Sequence, residues 1–240
     1  MRDLRPDLST LWQSVSRLRS ARGARSVMFV AARSGEGTSS MAASFALIAA
    51  EHAARTAWLV DLDLGMNEAF GGFDTGFAGG VARPARAYDA ALGCEPIYEL
   101  VPPPLGGGSK MLTVHPVEGT RLLVTRFRTE RLAAGQSVHL RTQPDWWQAL
   151  RRSTDWIIMD APAMDRSDVA LDVAAEADGV VLVVQAEATG AEEVARLQAG
   201  IEDQGGRVIG VVLNRMRADA HLAGRFGGQN SRRQYEGRRR

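Results

Sequence analysis

Lysine is nearly missing from this chain. Of 29 basic residues only Lys110 is a lysine, so an ε-ammonium has one place to act and every other fixed cation is an arginine guanidinium. Cysteine is as scarce: Cys94 stands alone, which excludes an intrachain disulfide. No apolar run approaches the roughly 18 to 20 residues that span a bilayer. The opening MRDLRPDLST carries acids and lacks the apolar core of a signal peptide, so a cytoplasmic protein is expected. Charge of one sign is not in excess either, the formal net charge being +1. With balanced charge and no interleaving of basic and aromatic residues in the body, no nucleic-acid partner is expected. What remains is 240 residues, 45% of them hydrophobic, enough to bury one sizeable core with arms.

The stretch around which the rest is organised is SVMFVAARSGEGTSSMAASFALIAA, residues 26–50. It reads as a buried strand, a glycine-containing loop and a helix that is apolar nearly all round. That is the layout of a phosphate-binding loop, in which backbone N–H groups and a helix N-terminus cradle nucleotide phosphates. The usual pattern G-x-x-x-x-G-K-[ST] falls on Ala32, Arg33, Ser34, Gly35, Glu36, Gly37, Thr38 and Ser39. The final glycine and the hydroxyl residue match, and Ser40 follows, but Thr38 stands where the lysine belongs. A plain glycine turn between a strand and a helix would also explain the stretch taken alone.

Further along, AWLVDLD and WIIMDAP read as strands buried on both faces that end in acids: Asp61 and Asp63 on one, Asp160 on the other. In a parallel sheet such acids collect at the carboxyl ends of the strands, where they suit Mg²⁺ positioning and activation of an attacking group. Strands at 179–185 and 208–213 complete the alternation with helices, and a doubly wound, mostly parallel α/β fold with helices on both faces follows. The remaining expectations are local. Residues 8–21 read as a helix within an N-terminal arm, 1–24, that packs on its own domain or on a neighbouring subunit. The nucleotide-binding domain spans 25–215. Inside it, the Gly/Pro/Ala-rich stretch 71–109 reads as a flexible or partner-contacting insert with a helix-like AYDAALG. Short strands are expected at 111–115 and 121–127, a helix from Asp168 to Glu176, and a capping box at Thr189 and Glu192. The adjacent Trp146 and Trp147 are expected to place one ring on the surface or under a partner. The basic tail 216–240 is expected to be disordered, and contact with anionic lipid is one use for it.

In this order, AARSGEGTSS, AWLVDLDL, DWIIMDAP and DGVVLVVQAEATGAEE…VIGVVLNRM resemble the bacterial tyrosine kinase (BY-kinase) and capsular-exopolysaccharide ATPases of the MinD/ParA superfamily, most of all diverged exopolysaccharide- and holdfast-type members. The resemblance implies a P-loop NTPase binding ATP or ADP with Mg²⁺. It implies phosphate contacts along residues 33–40, a magnesium site at Ser39, Asp61 and Asp160, catalytic roles for Asp61, Asp63 and Asp160, and adenine contact by Asn214. It further implies homo-oligomers and a membrane polysaccharide co-polymerase or export complex as partner, at the inner face of the cell membrane. The departures are Thr38 for lysine, Gly65 for the arginine after the paired acids, and Ala163 for the second proline after Asp160. The arm motif E-x-x-R-x-x-R survives only as Gln13, Ser16 and Arg19, and the tail offers Tyr235 in place of a tyrosine cluster. Kinase activity is therefore expected to be weak or absent. A slow positioning ATPase and a nucleotide-free scaffold are the alternatives. The missing lysine removes a charge-assisted contact of roughly 1.5–3 kcal/mol. Arg33 is the one cation inside the loop that could replace it, unless it is simply solvated.

Overall fold

The computed structural model describes residues 1–77, 86–104, 110–142 and 144–215. The basic tail and parts of the 71–109 stretch lie outside them. Ten strands occur among these residues: β1 (Arg25–Ala31), β2 (Ala57–Asp61), β3 (Tyr88–Asp89), β4 (Tyr98–Val101), β5 (Leu112–Pro116), β6 (Leu122–Phe127), β7 (Ser137–Leu140), β8 (Trp156–Asp160), β9 (Gly179–Gln185) and β10 (Val208–Asn214). The helices are α1 (Ser9–Val15), α2 (Thr38–His52), α3 (Glu68–Asp74), α4 (Pro144–Ser153), α5 (Val169–Asp172) and α6 (Ala191–Asp203).

Eight strands form one sheet in the order β10-β9-β1-β8-β2-β6-β5-β3. The neighbours from β10 to β6 pair in parallel, and β5 runs antiparallel to β6. This is the expected doubly wound α/β fold. Strand alternation divides β1 between two cores: Val27, Phe29 and Ala31 face α2, whereas Met28 and Val30 face the layer of α4, α5 and α6. Helix α2 is apolar all round because it is covered on both sides. The sheet lies beneath it, and the N-terminal segment closes over its back with buried Leu4, Leu8 and Val15. Trp12 of α1 stacks within 5.6 Å of Phe45 and Trp156, and the Leu4 N–H donates to the Ser44 hydroxyl at 2.9 Å.

Several local expectations are corrected. The N-terminal helix is shorter than 8–21, with Ser16 as its C-cap and Leu18 held in a turn against the Val15 carbonyl. The 71–109 stretch is not uniformly irregular: Gly71–Asp74 finish α3 and Tyr98–Val101 form β4. AYDAALG is a strand edge rather than a helix, because Tyr88 and Asp89 pair with Val114 and Thr113 of β5. Residues 168–176 break into α5 and a separate 3₁₀ turn, Ala174–Glu176. The cap of α6 is shifted by one residue, with Gly190 at the N-cap donating its N–H to Glu193. Both tryptophans are fully buried, edge-on at 4.9 Å, with Trp146 Nε1 donating to the Ala90 carbonyl at 2.8 Å. They share a core because a second sheet, β4 with β7, widens the covered arc of α4: Ile97, Tyr98 and Leu100 pack into the same cluster.

Candidate functional site: a phosphate-binding loop without its lysine

The site lies at the carboxyl ends of β1, β8 and β2, which are adjacent in the sheet. Parallel register sets Asp61 opposite Asp160, so the two acids stand side by side under the loop that leaves β1. The loop turns at Gly35 (φ 84°) and Gly37 (φ 96°), left-handed conformations that favour glycine. At Gly37 a side chain would also run into the Asn214 amide. Helix α2 begins at Thr38, so the leading N–H groups of the helix have no partner within it and point at the cleft.

The cleft encloses about 290 Å³, and its walls include Arg33, Ser34, Gly35, Gly37, Thr38, Ser39, Ser40, Asp61, Asp63 and Asp160. Ten of the residues expected from the sequence are thus brought together. Two expected residues face elsewhere. Glu36 is buried and turned away from the cleft. It accepts from the Arg33 N–H at 3.1 Å, the Gln185 N–H at 3.0 Å and the Thr189 hydroxyl, and so ties the loop to the end of β9. Asn214 donates its amide to the Glu36 carbonyl at 2.7 Å, which places it behind the loop as a brace.

Asp61 is 2% exposed, and its two oxygens accept from the Asp63 and Ala69 N–H groups, each at 3.0 Å. It orders the turn from β2 into α3. Burial, reinforced by the neighbouring Asp160, holds its carboxyl well above the usual range. Asp160 is pushed up to about 7 by burial and by the charges of Glu68 and Asp63, with the Ser39 hydroxyl opposing the rise. One of its oxygens, Oδ1, is buried without a hydrogen-bond partner. A carboxylate cluster with an orphaned buried oxygen beside a serine hydroxyl fits a hydrated divalent cation, whose charge would reverse both shifts. Among the described residues no three His, Cys, Asp or Glu side chains converge into a protein-only cage, so water and phosphate would have to complete the shell.

The cations are arranged differently from the sequence expectation. Arg33 is half exposed and paired with Glu193 of α6 at 2.6 Å. Lys110 is paired with Asp89 at 2.8 Å and is absent from the cleft. Two arginines that sequence reasoning missed line it beside Arg33. Arg166, six residues after Asp160, donates to Asp63 at 2.5 Å and lies 3.6 Å from Glu68. Arg215 donates to the Gln185 side chain at 3.2 Å. Asp165 was missed as well: it accepts both the N–H and the hydroxyl of Ser34, at 2.8 and 2.7 Å. No spacing rule links Ser34 to Asp165, or Asp63 to Arg166. These pairs form because the loops after β1, β2 and β8 meet.

The chain matches no protein-family profile and no curated protein. Solved structures do resemble it. The VpsO kinase domain is 21% identical over 90% of this chain and 96% of that one, with a TM-score of 0.55. The MinD cell division protein of Aquifex aeolicus is 16% identical over 84% and 73% of the two chains, with a TM-score of 0.52. Cobyrinic acid a,c-diamide synthase from Mycobacterium smegmatis, solved with ADP and magnesium, is 15% identical over 86% and 82%, with a TM-score of 0.51. At these identities the likeness establishes the fold alone, an α/β architecture with a mostly parallel sheet flanked by helices. Among the described residues no helix is long and apolar enough to cross a membrane.

Proposed function

We propose that this chain binds ATP or ADP with Mg²⁺ in the cleft between the 33–40 loop and the acids of β2 and β8. On this reading it is a BY-kinase-like regulator of exopolysaccharide synthesis or export, working with a membrane polysaccharide co-polymerase at the inner face of the membrane. The observation that carries the nucleotide half is the conjunction of the left-handed Gly37, the α2 N-terminus, Ser39 and the unpartnered buried Asp160 oxygen around one cleft. The polysaccharide half rests on the sequence resemblance.

The parts divide the work as follows. Loop N–H groups and the helix N-terminus hold the phosphates. Ser39 and Asp160 would hold the cation through its water, and the cation would supply charge neutralisation to the phosphates. Asp61 fixes the turn that presents Asp63. With Thr38 in place of lysine and no tyrosine cluster in the sequence, tyrosine kinase activity is weak or absent. Calorimetric titration with ATP and ADP, with and without Mg²⁺ at pH 8, tests the nucleotide half. Binding that requires Mg²⁺ is expected. No binding at millimolar nucleotide would leave a nucleotide-free scaffold.

A further inference from the structure

Four carboxyl groups and three arginines line the cleft. Asp61, Asp63, Glu68 and Asp160 all face it, and the cation most deeply engaged with them is Arg166. Arg166 comes from the loop after β8 and lines the same cleft as Thr38 and Ser39. Its two terminal nitrogens are divided: Nη2 is 2.5 Å from Asp63 and Nη1 is 3.6 Å from Glu68. Glu68 opens α3, and its other oxygen accepts from the Ser39 hydroxyl at 3.4 Å. One carboxylate therefore engages both the loop serine and the cleft arginine, which are the groups that an incoming phosphate and its cation need.

We infer that Arg166 is the cation that replaces the missing loop lysine, and that Glu68 is a built-in anion occupying its place until a polyphosphate displaces it. This deepens the nucleotide reading above and rests on it. Placement favours Arg166 over Arg33, and the chemistry of Glu68 and of the guanidinium suits the exchange. Both arginines are held by close contacts, Arg33 to Glu193 at 2.6 Å and Arg166 to Asp63 at 2.5 Å, but Glu193 lies on α6 outside the cleft lining, whereas Asp63 is one of the cleft acids. The Glu68 contacts are long, and Glu68 is 52% exposed, so the carboxylate leaves into water with little loss. A guanidinium can engage two phosphate oxygens at once, which a threonine at position 38 cannot do.

Opposite signs at two neighbouring residues make the inference testable. Isothermal titration with ATP and with adenosine, at fixed Mg²⁺ and salt, compares the wild type with Arg166→Ala, Arg166→Lys, Glu68→Gln and Arg33→Ala. Arg166→Ala is expected to weaken ATP about ten- to a hundredfold and to leave adenosine unchanged. Arg166→Lys recovers part of the loss. Glu68→Gln, which removes the competing charge, is expected to tighten ATP several-fold. Arg33→Ala changes ATP less than threefold. Thermal unfolding without ligand reports whether each variant is folded, and Glu68→Gln keeps the inference open to refutation if Arg166→Ala does not fold. Unchanged ATP affinity in Arg166→Ala, or weaker ATP in Glu68→Gln, overturns the inference while leaving nucleotide binding intact. No ATP binding by the folded wild type instead overturns the nucleotide reading and this inference with it.

Discussion

The two ends of the parallel sheet both bury charge, and they treat it in opposite ways. At the amino end the buried cation has anionic partners, although burial and the nearby Arg22 still hold the Arg151 guanidinium below its usual range and its Nε has no acceptor. Arg151 of α4, 1% exposed, donates to Glu176 at 3.2 Å and to the Ser26 hydroxyl at 3.3 Å. Asp178 accepts from the Ser26 N–H at 2.8 Å and its hydroxyl at 2.9 Å, and Arg22 closes the group 3.5 Å away. At the carboxyl end Asp61 and Asp160 lie side by side with no cation touching either, and both carboxyls are pushed up. A buried charge with its partner holds a structure together, whereas a buried charge without one is a demand for a ligand. The same sheet is locked at one end and left unfinished at the other.

Breaking the locked end gives the largest expected effect. Arg151→Ala leaves Glu176 and the Ser26–Asp178 pair without their buried cation, and a loss of about 3–5 kcal/mol of stability is expected in chemical denaturation. Nucleotide affinity of the folded fraction should not move. A loss below 1 kcal/mol would show that the amino end is no better compensated than the cleft.

Relieving the unfinished end should act in the other direction. A carboxyl raised from 3.8 to about 7 in the folded chain contributes stability that is complete below pH 3.8 and lost as pH rises through 7. Asp160→Asn should therefore raise stability at pH 8 by about 1–3 kcal/mol and flatten the fall between those two values. If the variant is less stable than wild type at pH 8 without Mg²⁺, Asp160 is paired in a way that makes the contrast between the ends false.

Supplying the absent lysine sharpens the comparison from the ligand side. Thr38→Lys places a cation at the head of α2 and should tighten ATP about tenfold, or about 1.4 kcal/mol, with adenosine unaffected. Equal ATP affinity in the two proteins would mean that arginine and the cation already neutralise the phosphates. The smallest effect is expected at the rim of the locked end. Arg22 is 42% exposed, and Arg22→Ala should change stability by about 0.5 kcal/mol, because exposed pairs are weak. A loss comparable to that of Arg151→Ala would move Arg22 into the buried network.

Much of this arrangement follows from the sequence alone. Strands apolar along their whole length belong to a sheet covered on both faces, and the acids that end β2 and β8 then have to meet at its carboxyl edge. The glycines and hydroxyls of residues 35–40 mark the loop, and the lone Lys110 shows that its usual cation is missing. Sequence could not say which groups would answer that loss, because pairing among charged side chains is set by neighbours brought together from distant segments. Arg33, nearest along the chain, pairs with Glu193, and Arg166, 103 residues from Asp63, pairs with the cleft acids. Glu36, inside the loop motif, turns away because the end of β9 presents it with donors. Trp146 and Trp147 are both buried because β4 and β7 extend the covering of α4, a contact that no helical period encodes. Local periodicity determines which backbone segments exist and which faces are apolar. Partner choice among polar groups waits for the loops to converge, and that is decided by the packed sheet.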